Sequence, residues 1–166
     1  ARRSSTRTFV VLNMLSGVPR HPDIQWWFDK LSPLKDYNVL VLSADLVIDP
    51  RWNLALPTTF SKLMSLVEEG CIHGVIGGPP CSTWSRARFI LMVHGPRPLR
   101  HRGKFCWGLP NLNKYESERV LQSNLLLVQF LAFCEGVSFR GGFHILEQPE
   151  DPGQEPYPSI FDTDLV

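Results

Sequence analysis

The chain has 166 residues, of which 43% are hydrophobic, 11% aromatic and 20% charged. A chain of this length and composition folds as one compact domain, which excludes a largely disordered protein. Its longest apolar runs are far shorter than the ~20 residues of a membrane-spanning helix, so we expect no membrane partner. The four cysteines form no CxxC pair. This spacing argues against a zinc site and predicts reduced thiols in an intracellular protein.

The formal net charge is only +1, but the charges are unevenly distributed. No acidic residue lies between Glu69 and Glu116, and that stretch contains Arg86, Arg88, Arg97, Arg100, Arg102, Lys104 and Lys114, with His94 and His101 between them. Beyond Arg140 every charged residue is acidic. The basic stretch predicts contacts with phosphate groups. A solvated basic loop without a ligand is the alternative interpretation.

Regular elements are predicted in an alternating order along the chain. Short apolar runs predict strands at residues 9–15, 39–44, 72–76 and 143–147. Apolar periodicity predicts helices at residues 22–31, 58–69 and 114–135, the last of them ended by Gly136. Near-continuous apolar strands are typical of a parallel sheet buried on both faces. The order therefore predicts an α/β fold: a doubly wound, mostly parallel, Rossmann-like sheet with helices on both faces.

Residues 1–8 are predicted to form a basic N-terminal extension, and residues 9–166 the domain itself. We expect this domain to be an excised part of a longer protein, truncated at its C-terminus.

The first two predicted strands each end in residues suited to a nucleoside ligand. Leu15-Ser16-Gly17 follows the first strand, and a glycine there lets the backbone approach a ligand closely. Asp45 follows the second strand, where a carboxylate can accept hydrogen bonds from the two hydroxyls of a ribose. An ordinary turn at Gly17 and a capping role for Asp45 are the alternatives.

The third strand exit, Gly77-Gly78-Pro79-Pro80-Cys81, is the strongest chemical signal in the sequence. Two glycines and two prolines predict a rigid turn that fixes the Cys81 thiol at the end of a strand. If residues 82–88 form a helical turn, the helix start and the nearby Arg86 and Arg88 would stabilise a thiolate. Cys81 is therefore predicted to be a nucleophile, and a half-buried structural cysteine is the alternative.

Glu147 follows the fourth strand, behind three apolar or aromatic-like positions, and we expect it to be partly desolvated. A carboxyl group that can hold or donate a proton, beside a fixed thiol, suits attack on an electron-poor ring whose nitrogen gains a proton. A loop anchor is the alternative role.

These residues resemble the DNA cytosine-5 methyltransferases. Gly-Pro-Pro-Cys81-Ser-Thr-Trp-Ser resembles the Pro-Cys nucleophile motif of that family, and Leu-Glu147-Gln-Pro resembles its Glu-Asn-Val motif. The order of the parts is also similar, over residues 9–160. Asn13, Gln148 and Pro149 depart from the family pattern, and the interval from Cys81 to Glu147 is longer than usual. The chain looks most like divergent methyltransferase-like domains carried by eukaryotic mobile elements.

The resemblance implies methyl transfer from S-adenosylmethionine to C5 of cytosine, with a covalent Cys81 adduct at C6 and Glu147 at N3. It implies that Leu15, Ser16, Gly17, Asp45 and Pro79 bind the cofactor. Double-stranded DNA with a flipped cytosine is the implied partner, contacted by Ser82, Ser85, Arg86, Arg88, Arg97 and Arg100, without a metal. The expected location is intracellular, and nuclear if the protein is eukaryotic.

Two other functions are considered. An amino-group methyltransferase acting on adenine or cytosine also places a Pro-Pro turn after a strand, but it needs Asp, Asn or Ser before the prolines and an aromatic residue after them. Here Gly78 precedes the prolines and Cys81 follows them. A catalytically degenerate domain that binds nucleic acid through the basic stretch is the other alternative.

Overall fold

A computed structural model describes residues 7–31, 37–90 and 95–165. Its strands are β1 (Arg7–Met14), β2 (Tyr37–Ala44), β3 (Gly74–Gly77) and β4 (Phe143–Leu146). Its α-helices are α1 (Ile24–Leu31), α2 (Pro57–Glu68) and α3 (Lys114–Phe139). Of the predicted extension, residues 1–6 lie outside the described residues, while Arg7 and Thr8 already belong to β1.

The four strands form one parallel sheet in the order β2-β1-β3-β4, which confirms the predicted α/β class with a parallel sheet. The chain steps from β1 to β2 in one direction and then returns past β1 to β3. In an order of this kind, right-handed crossovers place successive connecting helices on opposite faces of a sheet. The change of direction falls between β1 and β3, the place where open α/β sheets bind ligands.

The chain divides into two compact units. Unit 1 contains the residues up to Gly78 together with Ala132–Leu146, and therefore the whole sheet, α1, α2 and the end of α3. Unit 2 contains Pro79–Leu131 and the residues from Glu147 onward. The chain passes directly from β3 and from β4 into unit 2.

The expectation that all strands are buried on both faces is wrong for the two edge strands. Val11 of β1 and Val75 of β3 are buried in the core, whereas Leu40 of β2 and Ile145 of β4 are exposed. An edge strand has a neighbour on one side only, so its burial depends on what else covers it. The side chain of Gln25 covers part of β2. Its Nε2 donates to the carbonyl of Val39 at 2.9 Å, and its Oε1 accepts from the N–H of Val41 at 2.7 Å.

Helix α3 continues beyond the predicted stop at Gly136 and ends at Phe139. A Cβ atom at Gly136 would lie 3.1 Å from Cγ1 of Val67 in α2, so this glycine permits close helix packing. Gly141 closes the turn after the helix: its φ is +77°, and its backbone N–H donates to the carbonyl of Ser138 at 2.9 Å.

By length and composition, α3 also meets the requirements of a helix that crosses a membrane, and 39% of its most apolar window is buried inside the protein. Core helices of soluble proteins meet the same requirements. The apolar side chains on one face, among them Leu127, Phe130 and Val137, are fully buried.

Candidate functional site

In unit 1, the segment after β1 forms a tight turn held by Asp45. Leu15 has φ of +56° and Gly17 has φ of +70°, both in the left-handed region. The N–H of Gly17 donates to Oδ2 of Asp45 at 2.9 Å. The hydroxyl oxygen of Ser16 is buried and has no hydrogen-bond partner among the described residues. A buried hydroxyl without a partner is costly unless a ligand or water satisfies it.

The Asp45 carboxylate accepts hydrogen bonds from the backbone that follows β1 and from the backbone that follows β2. Asp45 is only 9% exposed, and its Oδ1 accepts from the N–H of Val47 at 2.8 Å. These contacts are the capping role considered as the alternative. Each carboxylate oxygen retains a second lone pair that can accept from a ribose hydroxyl. The apolar side chains of Leu46, Val47 and Ile48 are exposed beside it.

These features fit the nucleoside part of S-adenosylmethionine. The unpartnered Ser16 hydroxyl and the Asp45 carboxylate offer polar contacts, and the exposed Leu46 and Val47 offer an apolar surface for a base.

In unit 2, Cys81 is exposed and begins a three-residue 3-10 turn, Cys81–Thr83. Residues 82–88 do not form the single helical turn that would stabilise a thiolate, because Trp84 ends this turn and a second one covers Arg86–Phe89. An α-helix start that would favour a thiolate is therefore not present at Cys81.

The segment from Pro79 to Trp84, here called the Cys81 turn, is fixed by hydrogen bonds to four successive carbonyls. The donors are the side chain of Gln148 to Pro79, Ser123 to Pro80 at 3.1 Å, the backbone of Trp84 to Cys81 at 2.9 Å, and the side chain of Arg88 to Ser82 at 2.5 Å. A backbone restrained at four successive carbonyls limits the directions of its side chains. These hydrogen bonds support the prediction of a rigid turn.

Arg100 lies inside unit 2 and is fully buried. Its guanidinium donates to Oγ1 of Thr83 at 3.0 Å, to Oδ1 of Asn124 at 2.8 Å and to the carbonyl of Cys106 at 2.8 Å. It also lies 3.9 Å from the ring centroid of Trp84. Desolvation lowers the pKa of Arg100 to about 9, so the group remains charged at neutral pH. The predicted phosphate contact by Arg100 does not fit this position.

Three of the six other lysine and arginine side chains of the stretch are also engaged. Arg88 is buried, and Arg97 forms an ion pair with Glu116, its Nε lying 2.7 Å from Oε1. Arg102 pairs with Asp151 at 2.7 Å and with Asp162 at 3.1 Å. The acidic tail therefore neutralises part of the basic stretch that the sequence presents as electropositive.

Arg86, Ser82 and Ser85 are placed differently from the buried arginines. Arg86 and Ser82 are exposed, and no ion pair of Arg86 occurs within the part of the chain that the structure describes. The hydroxyl of Ser85 accepts from the N–H of Ala87 at 3.2 Å and so caps the second 3-10 turn. His94 lies outside the described residues.

Glu147 is exposed, so the expected desolvation of its carboxyl group is wrong. Its neighbour Gln148 is hydrogen-bonded to the carbonyl of Pro79, which brings the segment after β4 against the Cys81 turn. This role of Gln148 is not expected from the sequence. The signal that could have found it is an amide side chain directly after Glu147, at the position where the Glu-Asn-Val motif has asparagine.

A cavity of about 390 Å³ lies beside these two segments in unit 2. Its polar lining includes Ser85 and Arg86 from one loop and Gln148, Glu150 and Asp151 from the other. Trp84 adds an aromatic surface. Cys81 and Glu147 are close in the sequence to residues that line this cavity, but neither of them lines it.

Two further residues hold the site from within α3. The hydroxyl of Ser123 donates to the carbonyl of Pro80 and accepts from the hydroxyl of Thr83 at 3.0 Å. Thr83 and Asn124 both accept hydrogen bonds from Arg100. The signal that could have found them is the polar run Gln122-Ser123-Asn124 next to the apolar run that follows it in α3. Among residues 7–31, 37–90 and 95–165, no group of three or more His, Cys, Asp or Glu side chains could hold a metal ion.

Comparison with known proteins finds no matching family model, no similar curated protein and no similar solved structure. The fold and site define an α/β domain with an all-parallel sheet, compatible with a Rossmann-like arrangement. Its function is inferred below from the chemistry of its own residues.

Proposed function

We propose that the protein belongs to the class of DNA cytosine-5 methyltransferases and transfers a methyl group from S-adenosylmethionine to cytosine. One observation carries the proposal. The side chain of Gln148 bonds the carbonyl of Pro79, so a contact joins the residue after Glu147 to the residue two before Cys81. This hydrogen bond joins the two segments that carry Cys81 and Glu147, which are 66 positions apart in the chain, and it supports a shared role for them.

Cys81 and Glu147 would activate the cytosine ring together. The Cys81 sulfur forms a bond to C6 while Glu147 gives a proton to N3, and the displaced electron pair makes C5 nucleophilic. S-adenosylmethionine supplies the electrophilic methyl group when it is bound. After C5 is methylated, loss of its proton to a base, departure of the Cys81 thiolate and return of the N3 proton to Glu147 restore the neutral aromatic ring.

The cytosine must leave the DNA stack to reach an exposed thiol of this kind. The cavity beside the Cys81 turn would hold DNA next to the flipped cytosine rather than the reacting base, because neither Cys81 nor Glu147 lines it, and the exposed Arg86 at its edge would contact a phosphate. Unit 1 would hold the cofactor through Ser16, Gly17 and Asp45.

Covalent trapping tests this proposal. Duplex DNA containing 5-fluorocytosine should form a stable adduct in the presence of S-adenosylmethionine, because fluorine at C5 prevents the final elimination. Cys81→Ser should abolish the adduct. Cys71→Ser is the matched control, since Cys71 is also an exposed free cysteine but belongs to unit 1. An adduct that persists in Cys81→Ser, or is lost in Cys71→Ser, would contradict the proposal.

A DNA-binding domain without turnover is the second candidate. The exposure of Glu147 and the absence of Cys81 from the cavity lining favour it. It predicts that the intact protein binds duplex DNA but forms no adduct with the fluorinated base.

A further inference from the structure

Helix α3 is apolar on two opposite faces. On the core-facing side, Leu127 and Val137 are fully buried. On the opposite side, Leu121, Leu125 and Val128 recur at spacings of four and three, and they are 62%, 42% and 44% exposed. Residues with this spacing lie on one face of a helix. A helix that is apolar all round normally has both faces covered.

This second apolar face, here called the outer stripe, has charged residues near both ends. Ala132 and Phe139 continue the stripe, and Phe139 is 90% exposed. Lys114 lies at the N-terminal end and Glu135 near the C-terminal end, both exposed. Neither forms an ion pair with any residue that the structure describes.

We propose that two copies of this chain associate through the outer stripe, with their α3 helices antiparallel about a two-fold axis. The charge pattern carries this choice. Leu121 and Val128 have the same midpoint in the helix as Lys114 and Glu135. A two-fold axis at that midpoint places Leu121 opposite Val128 and Lys114 opposite Glu135, each of them twice. A parallel pair would instead bring Lys114 opposite Lys114.

The antiparallel arrangement also suits the helix termini, because the positive end of one helix macrodipole then lies near the negative end of the other. A lipid bilayer fits the outer stripe less well. Glu135 lies between Ala132 and Phe139 on the same face, so immersion of the stripe in lipid would carry a charged carboxylate with it. In a dimer the same carboxylate has a lysine partner.

Sedimentation velocity over a wide concentration range tests the proposal with the chain as it stands. The unmodified protein should shift from monomer to dimer as its concentration rises. Leu125→Glu should weaken association by at least about tenfold, because it buries a charge without a partner. Val18→Glu is the matched control: Val18 is likewise an exposed apolar residue, at 62%, but it lies in a loop of unit 1, and its substitution should leave association unchanged.

Charge reversal identifies the arrangement and does not disturb the core, since both residues are exposed. Lys114→Glu and Glu135→Lys should each weaken self-association, and an equimolar mixture of the two variants should associate again as a heterodimer. A monomer at every concentration overturns the proposal, and so does a dimer that neither reversal weakens. Binding to phosphatidylcholine vesicles without self-association would favour a membrane instead. None of these results depends on Cys81, so they are independent of the proposed methyl transfer.

Discussion

At the scale of single residues, Arg100 has the most unusual position in the protein. A fully buried guanidinium is normally paired with a carboxylate, but the partners of Arg100 are hydroxyl, amide and carbonyl oxygens and the face of Trp84. Its hydrogen bonds to Thr83 connect it to the Cys81 turn. Arg100 is thus a structural centre of unit 2 that restrains the turn from inside.

Arg100→Met should lower the free energy of unfolding by about 2–4 kcal/mol, because it leaves buried acceptors at Asn124 and Cys106 without donors. Arg100→Lys should lose less, since it keeps the charge but not the planar fork of donors. Chemical denaturation measures both effects. Arg86→Met is the control, because Arg86 is exposed, and its stability should stay within about 0.5 kcal/mol of the unmodified protein.

The burial of Arg100 could not be predicted from the sequence. An arginine in a basic stretch has the same local pattern whether it faces solvent or the core. Its acceptors, Thr83 and Asn124, lie 17 and 24 positions away. By contrast, the rigidity of the Cys81 turn was predictable, because Pro79 and Pro80 restrict the backbone locally.

At the scale of secondary structure, the start of α3 is fixed by a reciprocal pair of hydrogen bonds. The N–H of Glu116 donates to the side chain of Asn113, and the N–H of Asn113 donates to the carboxylate of Glu116, both at 2.9 Å. This is a capping box. Glu116 also binds Arg97, so the cap connects the helix to the basic stretch.

The capping box predicts a specific loss of stability in acid. Hydrogen bonds from Arg97 and then from the Asn113 backbone lower the pKa of Glu116 from 4.5 to about 2. A carboxyl group whose pKa is lower in the folded protein stabilises the fold above its ordinary pKa. That contribution should therefore disappear as the pH falls from about 4.5 to about 2.

Glu116→Gln should make the free energy of unfolding less dependent on pH in this range, as measured by denaturation at a series of pH values. Glu118→Gln serves as the control, since Glu118 is exposed and forms no ion pair with a described residue. An unchanged pH dependence in Glu116→Gln would contradict the assignment.

The elements themselves were largely predictable, and their environments were not. Apolar runs identified all four strands because burial in a parallel sheet requires them. The exposure of Leu40 and Ile145 depends on whether anything covers the edge strands. The pattern likewise cannot distinguish a glycine that ends a helix from Gly136, whose role depends on the distant Val67.

At the scale of the whole molecule, the two opposite charge blocks of the sequence partly neutralise one another. Arg102 pairs with Asp151 and Asp162, which belong to the acidic tail. The basic residues that stay exposed and unpaired among those described include Arg86 and Lys104. The surface available to phosphate groups is therefore much smaller than the sequence indicates.

Under the proposed function, this redistribution predicts which arginine contacts DNA. Arg86→Ala should weaken binding to duplex DNA similarly for all sequences, and it should reduce the slope of log affinity against log salt concentration by about 1. Fluorescence anisotropy in a salt series measures both quantities. Arg20→Ala removes an exposed charge from unit 1 and should leave the slope unchanged. Equal effects of the two substitutions would mean that binding is not localised at Arg86.

The four hydrogen-bonded carbonyls of the Cys81 turn have a practical consequence for spectroscopy. A nitroxide attached to the exposed Cys81 sulfur would sit on a backbone held at four successive carbonyls, so we expect its tumbling to follow that of unit 2 itself. With Cys71 replaced by serine, the remaining two cysteines are buried, and Cys81 becomes a single accessible attachment point. A paramagnetic probe there would record the arrival of a nucleotide as a change in line shape.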